Sequence, residues 1–389
     1  MSKLERLIQQ YCPDGVEWIK IRDMAQVGTG SSNGNEADED GKYPFFVRSQ
    51  IVKHKNNFEY DEEAIIIPGE GGIGDIFHYI KGKYALHQRV YRIHFTSQQI
   101  NVKCAFYYMK SAFKRFIMMK AVSATVTSIR KPMIEDFEIP VPPLPVQEEI
   151  VRILDAFTEL QAELQAELQK RKQQYNYYRD NLLSFEGRTD VQWKKLGKIA
   201  SITTGRRFVR TDIRESGVPC FHYGDIYTYY GLTATKTKGY LDDELAKKLR
   251  FAQPNDVVVV CAGENDMDIG VGVAWLGDEP AVVHDACCIL HHNQSSRYIS
   301  HFLRTHNYHL QMKKYVKNGK ISSLPASGLA EALIPLPSLE EQERIASILD
   351  RFDTLTNDLT AGLPAEIEKR RQQYEYYRDK LLTFKRKEA

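Results

Sequence analysis

Between residues 147 and 185 apolar side chains recur at alternating steps of four and three. Ile150, Leu154, Phe157, Leu164, Leu168, Tyr175, Tyr178, Leu182 and Phe185 hold this seam, and Gln161 and Arg171 interrupt it. The stretch contains neither glycine nor proline, so the spacing predicts one long coiled-coil helix. At about 1.5 Å per residue its 39 residues would span roughly 58 Å. A second seam runs through Ile345, Leu349, Phe352, Thr356, Leu359, Leu363, Ile367, Arg370, Tyr374, Tyr377, Leu381 and Phe384. Its offset from the first is 195 residues at the start and 199 at the end, so it carries four extra residues. Four is close to one helical turn, and the seam survives as a stutter. Gly362 and Pro364 stand at the join and predict a kink or a short break.

Around the seams the repetition is literal. RKQQYNYYRDNLLSF (171–185) and RRQQYEYYRDKLLTF (370–384) share 11 of 15 positions, and IPVPPLPVQEEIVRILDAF (139–157) matches IPLPSLEEQERIASILDRF (334–352). Each copy is a proline-rich hinge, which cannot be helical, leading into a long helix. Repetition on this scale fixes architecture before any local assignment, and here it makes the chain a protein of two halves. Two long seams in one chain are expected to pair antiparallel. The pairing residues are Leu154, Phe157, Leu164, Leu168, Tyr175, Tyr178 and Leu182 on the first and Leu349, Phe352, Leu359, Tyr374, Tyr377 and Leu381 on the second.

The segments before and between the seams echo each other more faintly. At an offset of 175, Trp18 and Gly30 align with Trp193 and Gly205, and PFFVRSQI (44–51) aligns with PCFHYGDI (219–226). AIIIPGEG (64–71) resembles VVVVCAGE (257–264), and LHQRVYRI (86–93) resembles VHDACCIL (283–290). Short β-branched runs between glycines and prolines predict strands. Residues 106–120 and 298–315 predict helices. Leu7 and Ile8 fall on Leu182 and Leu183 at the same offset, which makes residues 1–17 a short counterpart of a helix end. The expected fold is α+β, with two mixed α/β globules separated by two long antiparallel coiled-coil helices and an internal pseudo-twofold repeat. Its parts are an N-terminal helical segment (1–17), a first globule (18–140), a hinge and central helix (141–188), a second globule (189–335), and a hinge and C-terminal helix (336–389).

Composition narrows the function by exclusion. A length of 389 residues and 42% hydrophobic content suit a soluble chain of two or three domains. No apolar run reaches the roughly 18 residues of a membrane span and no signal peptide opens the chain, so a cytoplasmic protein is expected. The net charge of +2 requires any phosphate-binding surface to be local. Basic residues do cluster: Arg206, Arg207 and Arg210; Lys247, Lys248 and Arg250; Lys313, Lys314, Lys317 and Lys320; Lys110, Lys114 and Arg115. Solvated faces account equally for such clusters. The six cysteines show no CxxC spacing and read as reduced thiols. The late histidines (His284, His291, His292, His301, His306, His309) match no zinc ligand spacing. GEGGIG (69–74) fits a dinucleotide-binding pattern, but DIFHYIKGKY follows as a strand and no acid stands about 20 residues on. There is no phosphate-binding P-loop and no [ND]-P-P-[FYW] motif for amine methylation. No catalytic, cofactor-binding or metal residue is therefore assigned.

PDGVEW (13–18), the twin hinge–helix starts, and R[KR]QQYxYYRDxLLxF in both copies together resemble the specificity subunit of type I restriction–modification systems. The resemblance covers essentially the whole chain. It implies that the globules are target recognition domains and that this subunit selects a double-stranded DNA site without catalysing a reaction. It further implies two methylase subunits bringing S-adenosylmethionine chemistry to adenine, and restriction subunits using ATP and Mg, with no cofactor in this chain. Two readers held apart imply two short base blocks flanking an unread gap, read largely in the major groove. The loop TGRRFVR (204–210) offers Arg206, Arg207 and Arg210, and its twin TGSSNGN (29–35) is polar but uncharged. Arg48, Ser49, Gln50, His222 and Lys320 complete the expected DNA contacts. The tandem QAEL at 161–164 and 165–168 is expected to help set the gap. A coiled-coil scaffold with no nucleic-acid role would explain the helices but not duplicated basic globules. A standalone methyltransferase or nuclease lacks its motifs.

Overall fold

A computed structural model of the chain describes residues 2–388 apart from 121–127, 265–267, 318, 320 and 359. It divides into two units, Met1–Ala162 with Lys369–Ala389, and Glu163–Glu368. No helix among the described residues is long and apolar enough to cross a membrane.

The first unit opens with helix α1 (Lys3–Tyr11), capped by Ser2, whose side chain accepts from the Glu5 amide. The apolar run Ala64–Ile67 lies in the strand Tyr60–Pro68 of a six-stranded sheet, and all four side chains are fully buried. Successive apolar positions require burial on both faces. Ile65 and Ile67 pack with Ile93, Met109 and Phe113 of helix α2 (Val102–Lys120). Ala64 and Ile66 pack with Phe46, Tyr84 and Leu86 on the other face. The sheet is antiparallel except where Tyr43–Phe46 runs parallel to His78–Leu86. A short helix α3 (Lys131–Glu135) leads to the strand Glu138–Val141, which pairs with Glu17–Lys20 and delivers the chain to helix α4 (Leu144–Leu182).

The second unit repeats this plan with one change. The parallel pairing recurs between Val218–Phe221 and Ala281–Val283, and Gln192–Lys195 pairs with Leu333–Leu336. The counterpart of the long strand His78–Leu86 is cut into Gly272–Trp275 and Ala281–Val283, so one sheet becomes a five-stranded and a four-stranded sheet. The cut falls at Leu276–Pro280, where Pro280 has no amide to donate. Trp275 Nε1 donates to Glu279 O at 2.8 Å, and a Cβ on Gly277 would sit 2.2 Å from the indole. The uncut strand of the first unit bends at Gly82, whose φ is +118°. Helices α5 (Tyr223–Thr228) and α6 (Asp243–Ala246) follow strands of the smaller sheet. The single helix expected over 298–315 is two, α7 (Ser296–Phe302) and α8 (His306–Met312). Thr305 caps α8 by accepting from the Tyr308 amide, and this turn carries the Tyr308 ring into the core, where its hydroxyl donates to Gly270 O at 3.1 Å. Helix α9 (Ala326–Leu329) precedes the second hinge.

Helix α4 has the expected 39 residues, starting three earlier than the seam. Its first-turn Pro145 forfeits nothing, because those amides have no partner in a helix. The second copy breaks into α10 (Leu339–Asn357) and α11 (Leu363–Leu381). Asp358 accepts from Thr360 and Ala361 in the break, and a Cβ on Gly362 would lie 2.2 Å from Thr354 O. Within the first unit Val146, Ile150 and Leu154 of α4 share a cluster with Tyr374 and Leu382, and Leu381 packs against it. Phe157 stacks on Tyr377 at 5.7 Å. Within the second, Tyr175 and Leu182 of α4 share a cluster with Leu349 and Phe352, and Tyr178 stacks on Phe352 at 5.4 Å. Both pairings are antiparallel, and the two stacks are one Phe–Tyr pair with the helices exchanged. Leu168 is buried, Leu164 half-buried, and Leu359 lies outside the described residues.

Each long helix is fastened to its globule by a buried glutamine. Gln147 Nε2 donates to Gln99 O (2.7 Å) and Pro142 O (2.6 Å), and its Oε1 accepts from Asn101 N (2.8 Å). Gln342 Nε2 donates to Gln294 Oε1 and Pro337 O (both 2.9 Å), and its Oε1 accepts from Ser295 N (3.1 Å). A second joint is a carboxylate eight residues further along the same helix. Asp155 accepts from Lys103 and Tyr107 of α2, and Asp350 from Arg297 and His301 of α7. The two ends of the chain meet in the first unit. Val16 N donates to Lys385 O and Lys387 N donates to Val16 O, both at 2.9 Å. Arg386 lies 5.2 Å from the Trp18 ring. The place that Leu182 and Leu183 take in the second unit is taken here by Leu381 and Leu382, and α1 packs beside them through Leu4, Leu7 and Ile8.

Burial, before any other influence, lowers the pKa of His222, His284, His292, His301 and His309 in the second unit. His292 is pushed down to about 4, and its buried Nε2 has no partner. As pH falls below about 6.5 the unfolded chain takes up these protons first, so stability drops. The second unit should therefore be most stable above pH 6.5 and lose stability steadily towards pH 4. His292 alone accounts for about 3 kcal/mol of that loss, at roughly 1.36 kcal/mol per pKa unit. Urea midpoints across pH 4–8 measure it, and His292→Phe should flatten the acid limb.

Candidate nucleic-acid interface

Four loops converge in each unit on the same backbone frame. His87 N donates to Phe46 O at 3.0 Å in the first, and His284 N donates to Phe221 O at 3.1 Å in the second. The loop after the central strand is tied to the same turn, by Gly69 N to Arg89 O (2.9 Å) and Cys261 N to Ala286 O (2.8 Å). Each histidine then accepts at Nδ1 from the amide two residues on, Arg89 at 3.0 Å and Ala286 at 3.1 Å. The Thr-Gly loop is wedged against this turn. A Cβ on Gly30 would lie 1.8 Å from Leu86 O, and one on Gly205 would lie 2.3 Å from Val283 O. Only glycine allows that approach. Burial comes first in lowering the pKa of both His87 and His284. They serve as neutral hydrogen-bonding struts rather than charges.

The frames carry different chemistry. In the first unit the glycine-rich loop needs left-handed backbone at Gly71, Gly72 and Gly74 (φ +75°, +66°, +70°). It presents Glu70 between Arg48 (3.0 Å) and Arg89 (2.9 Å). Hydrogen bonds from Arg89 and then Arg48 hold the Glu70 carboxyl below its ordinary range. Ser49 Oγ donates to Ile51 O at 2.9 Å, closing the turn that exposes Gln50. Gln88 donates to Asn33 in the loop TGSSNGN at 2.8 Å.

In the second unit the loop TGRRFVR follows the strand Ala200–Thr204, the second strand of that unit rather than the first. Phe208 is buried against Cys220, Leu241 and Val282 and pins the loop, leaving Arg206, Arg207 and Arg210 exposed. Arg206 Nη1 donates to Lys248 O at 2.8 Å, and Arg250 Nη1 donates to Thr204 O. Two basic clusters separated in sequence thus form one patch. His222 caps α5 by accepting from Gly224 N at Nδ1 (3.3 Å), so its neutral ring carries the proton on Nε2. Burial lowers its pKa, with Arg210 and Lys238 adding to the effect.

Of the residues expected on DNA, Arg48, Ser49 and Gln50 thus share one loop frame and Arg206, Arg207, Arg210 and His222 share the other. Lys320 lies outside the described residues. Sequence reasoning missed Glu70 and Arg89, and named Arg250 only within a basic cluster. The glycine run at 69–74 was the available signal for Glu70. Arg89 had none, because it is placed by a contact with a distant loop.

The family described as type I restriction modification DNA specificity domain matches residues 13–171 and 189–369. The chain is 37% identical to the EcoR124I/EcoR124II type I restriction enzyme specificity subunit of Escherichia coli over 63% of this chain and 61% of that protein. It is 28% identical to a putative type I restriction enzyme specificity subunit of Haemophilus influenzae over 98% of each chain. Among solved structures, the type I restriction–modification S subunit from M. genitalium shares its fold, with a TM-score of 0.59 at 16% identity over 95% of this chain and 96% of that one.

Proposed function

The chain belongs to the type I restriction modification DNA specificity family, and on that premise we propose that its two loop frames read two separate blocks of one double-stranded DNA site. The observation that carries this reading is the pair of frames itself. The backbone geometry is repeated, while the side chains mounted on it differ. Two readers of different sequences need that combination. A scaffold with no nucleic-acid role gives no reason for it. The chain itself catalyses nothing and binds no cofactor in this reading. Two methylase subunits dock on the duplicated helices and carry S-adenosylmethionine to adenines in the two blocks, and restriction subunits with ATP and Mg join through them in the cytoplasm. The identity of RxQQYxYYRDxLLxF extends to the exposed Tyr177 and Tyr376, which supports two copies of one partner.

Co-expression with the cognate methylase tests the proposal. A native mass of two methylases per chain and methylated adenines at one gapped site are expected. A complex saturating at 1:1 or 1:2, or methylation without a gapped consensus, would count against it. At residue level, Arg206→Ala with Arg207→Ala should weaken site binding by ~1–3 kcal/mol, with a shallower salt dependence if the pair contacts phosphate. Wild-type methylation by the double variant in ordinary salt would remove these residues from the interface.

A further inference from the structure

Ile51 is 76% exposed, more than any other large apolar side chain among the described residues. Its repeat counterpart is Ile226, which is 1% exposed. The two residues end the aligned segments PFFVRSQI and PCFHYGDI, and both segments leave the same parallel strand of the frame. In the second unit the segment winds into α5 and turns its isoleucine into the core beside Phe221 and Trp275. In the first it remains a turn and points the isoleucine outward. The fold therefore has a buried use for this position and does not take it.

The turn that presents Ile51 is held from three sides. Ser49 bonds to the Ile51 carbonyl, and the Arg48 side chain is tied to Glu70. A Cβ on Gly71 would lie 3.1 Å from Arg48 O, so the glycine-rich loop backs the turn closely. A side chain on a supported turn keeps its position when a partner arrives, and loses little freedom on contact. Its neighbours Arg48 and Gln50 carry the polar groups that suit base edges. An aliphatic side chain among them has one complementary feature in the major groove, the 5-methyl group of thymine.

We propose that Ile51 packs on a thymine 5-methyl group in the block read by the first unit and so helps to specify a T·A pair there. The inference rests on the DNA-reading role proposed above. The test uses the chain assembled with its methylase and a duplex carrying the mapped site. Each thymine in both blocks is replaced in turn by deoxyuridine, which removes the methyl group and leaves the pairing edges intact. One position should weaken binding by about fourfold, the effect of one buried carbon group. In the complex with Ile51→Ala the same replacement should have no effect, while the other positions behave as before. An equal melting temperature of the variant, expected for so exposed a residue, shows that the fold is unchanged. Deoxyuridine sensitivity that persists in the variant overturns the assignment, as does a site with no methyl-sensitive thymine. Absence of any site-specific binding by the wild-type complex would instead overturn the DNA-reading role itself.

Discussion

Gln147→Ala is expected to unfold most of the first unit under conditions where the wild-type chain is stable. The glutamine satisfies one buried carbonyl, Pro142 O, and two half-buried groups, Gln99 O and Asn101 N. Its own side chain is 2% exposed. Alanine takes this partner from all three backbone groups, at about 1–3 kcal/mol for each that stays dry. Water can repay part of the loss at Gln99 O and Asn101 N, so the sum, roughly 3–6 kcal/mol, is comparable with the whole stability of an ordinary domain. Gln342→Ala should cost less. One of its three partners is the Gln294 side chain, which can turn to water, so only Ser295 N and Pro337 O are stranded. Urea unfolding of both variants measures the difference. Equal losses would mean that the two joints are held by something other than these amides.

A third QAEL inserted after Leu168 is expected to abolish methylation of the original site and create activity at a site with one more unread base pair. Four residues lengthen a helix by about 6 Å and turn its far end by about 40° beyond a full turn. One step along B-DNA turns by roughly 34–36°, so the rotation matches a single base pair while the rise exceeds it. The insertion point lies within α4, in the part that belongs to the second unit, and precedes the first strand of that unit at Gln192. Methylation mapping decides the matter. Both base blocks should be unchanged and the gap one pair longer. New blocks, or the old gap at full activity, would show that α4 does not set the spacing.

The sequence made the helices legible because their determinants are local. A seam without glycine or proline gave a helix of the right length, and Gly362 and Pro364 marked the break where the chain does interrupt itself. The fold class followed from the repeat. The reading loops were much less legible. Nothing in PFFVRSQI says that Ile51 stays outside while Ile226 goes in, because that choice depends on whether a one-turn helix finds a core to cover. Arg206 and Arg250 lie in separate clusters on paper and are brought together by bonds to Lys248 O and Thr204 O. The turn histidines His87 and His284 align with each other, but their role as struts depends on amides and carbonyls that sequence does not display. The single helix expected over 298–315 failed for a similar reason: Thr305 and the need to bury Tyr308 divide it.

The closure of the first unit by Lys369–Ala389 also sets an order of events during synthesis. The second unit is one continuous stretch and is complete once Glu368 has left the ribosome. The first begins earlier but finishes last, because Tyr374 and Leu382 form part of its core and Lys385–Lys387 cover Val16 and Trp18. More than two hundred residues separate Ala162 from those final segments. At about 5–20 residues per second, the apolar face of Val146, Ile150 and Leu154 waits uncovered for roughly 10–45 s. A chain released before Lys369 would carry a complete second unit and a first unit with that face still exposed for chaperones and proteases to find.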